Sequence, residues 1–140
     1  MKKINVYTDG GSRNNPGLAG IGFIVFDEAN KIVYQEGKTI GIATNNVAEY
    51  SALLESLKWL LKNKNTFPVL NEIVFHSDSE LLVNQMTGRY RIKDLKLKDL
   101  VVEAHTLLAK LNILHSFVAI PREKNKHADK LVNDALDGYL

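Results

Sequence analysis

The chain has no cysteine, a single tryptophan and three prolines in 140 residues. Without cysteine neither a disulfide framework nor a thiolate-held metal can form, and the absence suits a reducing compartment. No run approaches the ~18 consecutive apolar residues of a membrane span. Met1-Lys2-Lys3 leads into a strand-like segment and not into an apolar signal core. The expectation is a cytoplasmic protein with no membrane association. Charge of one sign is also scarce, since the net of +2 would not by itself argue for a nucleic-acid partner. No repeat or low-complexity linker divides the sequence, so one domain over residues 1–140 is expected. A chain of this length buries roughly 68–70% of its unfolded surface.

What the sequence does carry is a set of acids in separate segments. Asp9 follows the strand-like run Ile4-Asn5-Val6-Tyr7-Thr8 and opens Gly10-Gly11-Ser12-Arg13-Asn14-Asn15-Pro16-Gly17, whose composition excludes helix or strand interior. Asp78 likewise follows Ile73-Val74-Phe75 and precedes Ser79, where helical spacing begins. Both read as acids closing a strand, and ligands of open α/β sheets gather beyond the carboxyl ends of strands. Glu49 falls in the first turn of a helix from Asn46 to about Lys62, with its apolar stripe at Leu53, Leu54, Leu57, Leu60 and Leu61. Taken alone it would simply complement the helix dipole. Asp129, in a C-terminal helix buried through Ala128, Leu131, Val132 and Ala135, would alone be a surface acid.

Strands are expected near 3–9, 20–27, 31–38, 72–78 and 113–120, and helices near 46–62, 79–86, 95–111 and 126–137, with 37–44 ambiguous. Three early strands in succession suggest an antiparallel meander, and the later alternation suggests parallel additions. The pattern therefore favours an α/β fold, a mixed sheet with helices packed over it. Bringing like charges to about 4 Å costs on the order of 4 kcal/mol per pair at an effective dielectric near 20. Divalent ions would turn that cost into binding, and Mg²⁺ favours oxygen ligands such as these.

Tyr7-Thr8-Asp9-Gly10-Gly11-Ser12, Asn15-Pro16-Gly17, Thr44-Asn45-Asn46-Val47-Ala48-Glu49-Tyr50, His76-Ser77-Asp78-Ser79 and Asn125-Lys126-His127-Ala128-Asp129 together resemble ribonuclease H of type I. The resemblance runs along nearly the whole chain and in the family's order. It implies the ribonuclease H-like fold, a five-stranded mixed sheet with adjacent, parallel first and fourth strands. It also implies endonucleolytic hydrolysis of the RNA strand of RNA/DNA hybrids by two-metal-ion catalysis, leaving 5′-phosphate and 3′-hydroxyl ends. Asp9, Glu49, Asp78 and Asp129 would be the catalytic metal ligands for two Mg²⁺ ions, with Mn²⁺ as a substitute and Asp9 bridging.

By the same resemblance Gly10, Gly11, Ser12, Asn15 and Asn45 would approach the RNA or the minor groove, where the 2′-hydroxyl distinguishes RNA from DNA. Thr44 and Asn46 would contact the DNA strand, although Asn46 could instead cap the helix. The family's basic protrusion is reduced here to Thr87-Gly88-Arg89-Tyr90-Arg91, leaving Arg89 and Lys96 among the partial substitutes. A loop histidine found in bacterial members is replaced by Pro121-Arg122-Glu123-Lys124, and His127 is expected to be peripheral. Trp59 is expected to pack within the long helix. The compact subgroup leaves double-stranded RNA open as a further substrate, and a monomer is the default. The alternative is a non-catalytic nucleic-acid-binding domain of the same fold, against which the retention of all four acids argues.

Overall fold

The computed structural model describes residues 1–140. Five strands, β1 (Lys3–Arg13), β2 (Gly17–Asp27), β3 (Ile32–Ala43), β4 (Glu72–Ser77) and β5 (Leu114–Ala119), form one sheet in the order β3-β2-β1-β4-β5. The first three make an antiparallel meander, and β4 and β5 add in parallel beside β1. Four helices complete the fold: α1 (Asn45–Lys62), α2 (Glu80–Met86), α3 (Leu95–Leu111) and α4 (Lys126–Leu136). The expected mixed sheet, with its first and fourth strands adjacent and parallel, is present.

The apolar periodicities decide the layering. Ile4, Val6, Phe23, Val25, Ile73 and Phe75 alternate onto one face of the sheet, where they meet Leu53, Leu57 and Leu60 of α1 and Val101, Ala104 and Leu108 of α3. Each such large side chain contributes about 1.5–3 kcal/mol on burial. The opposite face is covered only in part, by α4 lying on β2 and β3, with Ile24, Ala128 and Leu131 in a small second core. β2 is therefore buried on both sides, which explains its nearly unbroken apolar run Ile21-Gly22-Phe23-Ile24-Val25-Phe26. Trp59 stacks on Tyr34 at 4.7 Å and serves packing.

Several local expectations are corrected. Gly10 to Arg13 is not a break, because β1 continues through it, paired from Gly10↔Ile21 to Arg13↔Leu18. The ladder supplies the hydrogen bonds that override the weak strand propensity of glycine. The ambiguous segment after Gly37 is strand as far as Ala43. Helix α1 begins earlier than expected, capped by Thr44, whose Oγ1 accepts from the Val47 N–H at 3.2 Å. Asn46 lies inside the helix and is not its cap, and Glu49 consequently sits in the second turn and not in the first.

Candidate active site

Asp9 is not the last residue of its strand, but it is the first beyond the parallel ladder, whose final pair is Thr8↔Ser77. Asp78 follows Ser77 directly, so both acids emerge side by side where β1 and β4 part company. The chain after β4 turns tightly: Ser77 Oγ accepts from the Ser79 N–H at 3.1 Å, and Ser79 Oγ caps α2 by accepting from Leu82 N–H at 3.1 Å.

Glu49 reaches the same point because α1 lies directly on the backbone of β1. A Cβ at position 10 would stand 2.2 Å from the carbonyl oxygen of Ala48, so only glycine admits this approach. The Gly10 N–H then donates to Glu49 Oε1 at 2.8 Å. Two asparagines fasten the helix start to the β1–β2 hairpin: Asn45 N–H donates to Asn15 Oδ1 at 2.9 Å, and Ser12 N–H donates to Asn45 Oδ1 at 2.8 Å.

One carboxylate oxygen from each of Asp9, Glu49 and Asp78 lies within 4.8 Å of the others. Asp129 stands outside that triad, exposed on the first turn of α4, yet it lines the same cavity of about 360 Å³. Its helix comes this close because Gly22 has no side chain; a Cβ there would meet the Ala128 carbonyl oxygen at 2.7 Å. Burial, then the charges of Asp78 and Asp129, push the Asp9 carboxyl up to about 8. Burial, then Asp9 and Asp78, hold Glu49 well above the usual carboxylate range. At these separations each ionised pair costs about 3–4 kcal/mol at an effective dielectric near 20. Hard oxygen donors that cannot all ionise without a cation suit a divalent ion of the Mg²⁺ class. The donor set therefore fits such a metal.

The expected nucleic-acid residues divide into two groups and an outlier. Gly10, Gly11, Ser12 and Asn45 line the acidic cavity. Asn15, Thr44, Asn46 and Lys96 line a neighbouring pocket of about 290 Å³, beside the cap of α3, Asp94. Arg89 lies in the segment between α2 and α3 and lines neither. Arg122 and Asn125 were not among the expected site residues. Arg122, on a 3-10 turn before α4, enters the acidic cavity. Asn125 is 1% exposed and donates from Nδ2 to the Thr8 carbonyl at 2.9 Å and to Asp78 Oδ2 at 3.4 Å. Its place in the motif block with Asp129 was the available signal.

Acids gathered where two parallel central strands diverge, on a five-stranded sheet of this order, define the ribonuclease H-like class. The family described as Reverse transcriptase-like matches residues 7–135. The ribonuclease H of Francisella philomiragia is 32% identical over 96% of this chain and 93% of its own length. LC11-RNase H1, solved in complex with an RNA/DNA hybrid, superposes with a TM-score of 0.90 at 41% identity, covering 97% of this chain and 98% of that one. The bifunctional protein Rv2228c of Mycobacterium tuberculosis is 40% identical over 96% of this chain, which spans only 36% of that protein's length. The chain belongs to the type 1 ribonuclease H family.

Proposed function

We propose that residues 1–140 form a single ribonuclease H domain that hydrolyses the RNA strand of RNA/DNA hybrids endonucleolytically, leaving 5′-phosphate and 3′-hydroxyl ends. The observation that carries this reading is the convergence of Asp9, Glu49 and Asp78 oxygens within 4.8 Å in an open cavity. Asp9 is the common member, since its carboxyl feels Asp78 and Asp129 and is felt by Glu49. These residues, with Asp129 at the rim, would hold two divalent ions, Mg²⁺ or Mn²⁺ in its place. Bound there, the ions would supply a water of lowered pKa and stabilise charge on the attacking and leaving oxygens.

The chain's own part is positioning. Gly10 N–H fixes the Glu49 carboxylate, and Asn125 holds Asp78 against the end of β1. Asn15 and Asn45 use their amide oxygens within the protein, so their NH₂ groups are free to donate toward the RNA or the minor groove. Thr44, Asn46 and Lys96 offer polar groups and one cation, beside the carboxylate of Asp94, to a phosphate of the DNA strand. The reading has the protein act as a monomer in the cytoplasm. No helix is long and apolar enough to cross a membrane.

The test uses end-labelled RNA/DNA hybrid, double-stranded RNA and single-stranded RNA, each with Mg²⁺ and then Mn²⁺, alongside Asp78→Asn. Cleavage of hybrid RNA that disappears in the variant is expected, and the double-stranded RNA lane sets the breadth. Hybrid binding with no cleavage under either metal would overturn the enzymatic reading and favour a non-catalytic domain.

A further inference from the structure

The wall of the acidic cavity carries two cations, Arg13 and Arg122, and they reach it from opposite ends of α4. Arg122 belongs to the turn that precedes the helix. Arg13 is the last residue of β1, paired with Leu18, and its side chain crosses to the other end of α4. There Nη1 donates to Asp137 Oδ1 at 2.6 Å and Nη2 to Asn133 Oδ1 at 3.4 Å. Asn133 is also part of the cavity wall, and its Nδ2 donates to the Asp129 carbonyl at 3.1 Å. One line of hydrogen bonds therefore runs from Asp137 through Arg13 and Asn133 to the backbone of an acid of the site.

The Arg13 and Asp137 side chains are 47% and 41% exposed, and an ion pair so open to water adds little to stability. What the pair does is fix direction. A guanidinium carries five N–H groups in a rigid fork, and the bonds to Asp137 and Asn133 leave the others unengaged. Arg13 pairs with Asp137 and with none of the four acids of the site, so it does not compete with a divalent ion for them. The ions would serve the scissile phosphate, and a strand lying across the cavity brings further phosphates with it. α4 rises about 1.5 Å per residue, which puts Asn133 about 6 Å beyond Asp129. A strand advances about 3.4 Å per nucleotide, so that offset is worth about two nucleotides.

We propose that Arg13, held in place by Asp137 and Asn133, binds a phosphate of the RNA strand about two nucleotides from the scissile one. The inference rests on the hybrid-cleavage reading and adds a contact that sets where the strand lies over the acids. Arginine suits the task because its fork meets two phosphate oxygens at once while its other edge stays on α4, whereas lysine would supply the charge alone.

The first readout is binding of a short RNA/DNA hybrid by wild type, Arg13→Gln, Arg13→Lys and Asp137→Asn, followed by fluorescence anisotropy in EDTA across a salt series. Arg13→Gln should weaken binding about fivefold and lower the slope of log affinity against log salt by about 0.9, and Arg13→Lys should keep the slope. Asp137→Asn breaks the same ion pair but keeps the cation, so its slope should not fall. The second readout is the cleavage ladder with Mg²⁺ or Mn²⁺ on end-labelled hybrid. Its RNA strand carries one uncharged methylphosphonate link at a 2′-O-methyl nucleotide, beside a control strand with an ordinary phosphate at that nucleotide. In wild type the link should suppress cutting about fivefold at the bond about two nucleotides away. Arg13→Gln should lose that suppression, because removing both partners of one contact costs no more than removing one. Melting temperatures in EDTA report whether each variant is folded. The proposal is overturned if Arg13→Gln keeps the wild-type slope, if Asp137→Asn lowers it equally, which would make Arg13 a tether for α4, or if the ladder around the link is the same in wild type and Arg13→Gln. A wild type that cuts no hybrid with either metal would end the nuclease reading, and the salt series would then decide the role of Arg13 alone.

Discussion

Replacing Asp9 by asparagine should stabilise the metal-free protein, by an amount that depends on pH. Asp9 is 7% exposed, and its carboxyl is raised from 3.8 to about 8 by burial and by Asp78 and Asp129. In the unfolded chain the acid loses its proton as pH passes its ordinary value, whereas the folded chain keeps it until about 8. The unfolded state is therefore favoured progressively across that window, and the penalty is complete only above it. A tenfold change in proton affinity is worth about 1.4 kcal/mol, and the interval from the ordinary value to pH 7 spans roughly three such factors, which amounts to about 4 kcal/mol. Because neighbouring carboxylates share the strain, we expect Asp9→Asn to recover about 2–4 kcal/mol. With an unfolding entropy of about 2.1 cal/mol/K per residue, that is roughly 7–14 °C in melting temperature.

The assay is thermal melting of wild type and Asp9→Asn in EDTA from pH 4 to 9, repeated with millimolar Mg²⁺. Near pH 4 the two should melt together, and the gap should open toward pH 8. Mg²⁺ should raise the melting temperature of wild type alone, since mass action rewards only the chain that binds it. A gap independent of pH, or a variant that melts at or below wild type at pH 8 in EDTA, would refute the electrostatic account of the site.

The other perturbations address packing, catalysis and binding separately. Gly10→Ala places a methyl 2.2 Å from the Ala48 carbonyl, so α1 must lift off β1. A loss of about 2–4 kcal/mol in urea unfolding is expected, with residual activity falling as Glu49 moves. Glu49→Gln keeps an acceptor for the Gly10 N–H but removes a carboxylate, so cleavage should fall at least about a thousandfold while the melting temperature in EDTA rises. Tyr50→Phe removes the hydroxyl that donates to Gln85 Oε1 at 2.6 Å in the core between α1 and α2, and denaturation should register about 1–3 kcal/mol. Lys96→Glu should raise KM for hybrid more than it lowers kcat, and should reduce the slope of log affinity against log salt by about 0.9 or more.

The parts of the fold legible in the sequence are those whose cause is local. The α1 and α3 stripes and the alternation in β1 repeat at the period of their own element, and β4 shows as a short apolar run, so reading along the chain finds them. The motif blocks likewise put Asp9 and Asp78 at the ends of apolar runs, and strand order then made them neighbours. The boundaries failed where the cause lay in another element. Gly10 and Gly11 read as a break because glycine is weak in strands, but Gly10 is needed by the backbone of α1 and its ladder by β2. Asn46 read as a cap because asparagine caps helices, but Asn15 and Asn45 bind the helix start to the hairpin, and Thr44 caps it first.

Asp129 carries the same lesson into the site. Its helical position follows from the periodicity of Ala128, Leu131, Val132 and Ala135, which fixes the face of α4 that meets the sheet. Periodicity does not say how near the helix lies, and distance decides whether an exposed acid at its first turn can act on Asp9. Gly22 and Asn125 set that distance together. The first allows the Ala128 backbone down onto β2, and the second ties the residue before α4 to Thr8 while its own carbonyl receives the Asp129 N–H at 3.0 Å. A larger residue at 22 and a loss of the amide at 125 should therefore move Asp129 by independent routes. Both should bring the Asp9 carboxyl back toward its ordinary value by removing the same neighbour. Titration of ¹³C-labelled aspartates and glutamates in Gly22→Ala and Asn125→Ala would show this as a downward shift at Asp9 with Glu49 less affected, because Asp129 is not among the charges that hold Glu49 up. An unchanged Asp9 titration in both folded variants would mean that Asp129 reaches the cavity for reasons other than the seating of α4.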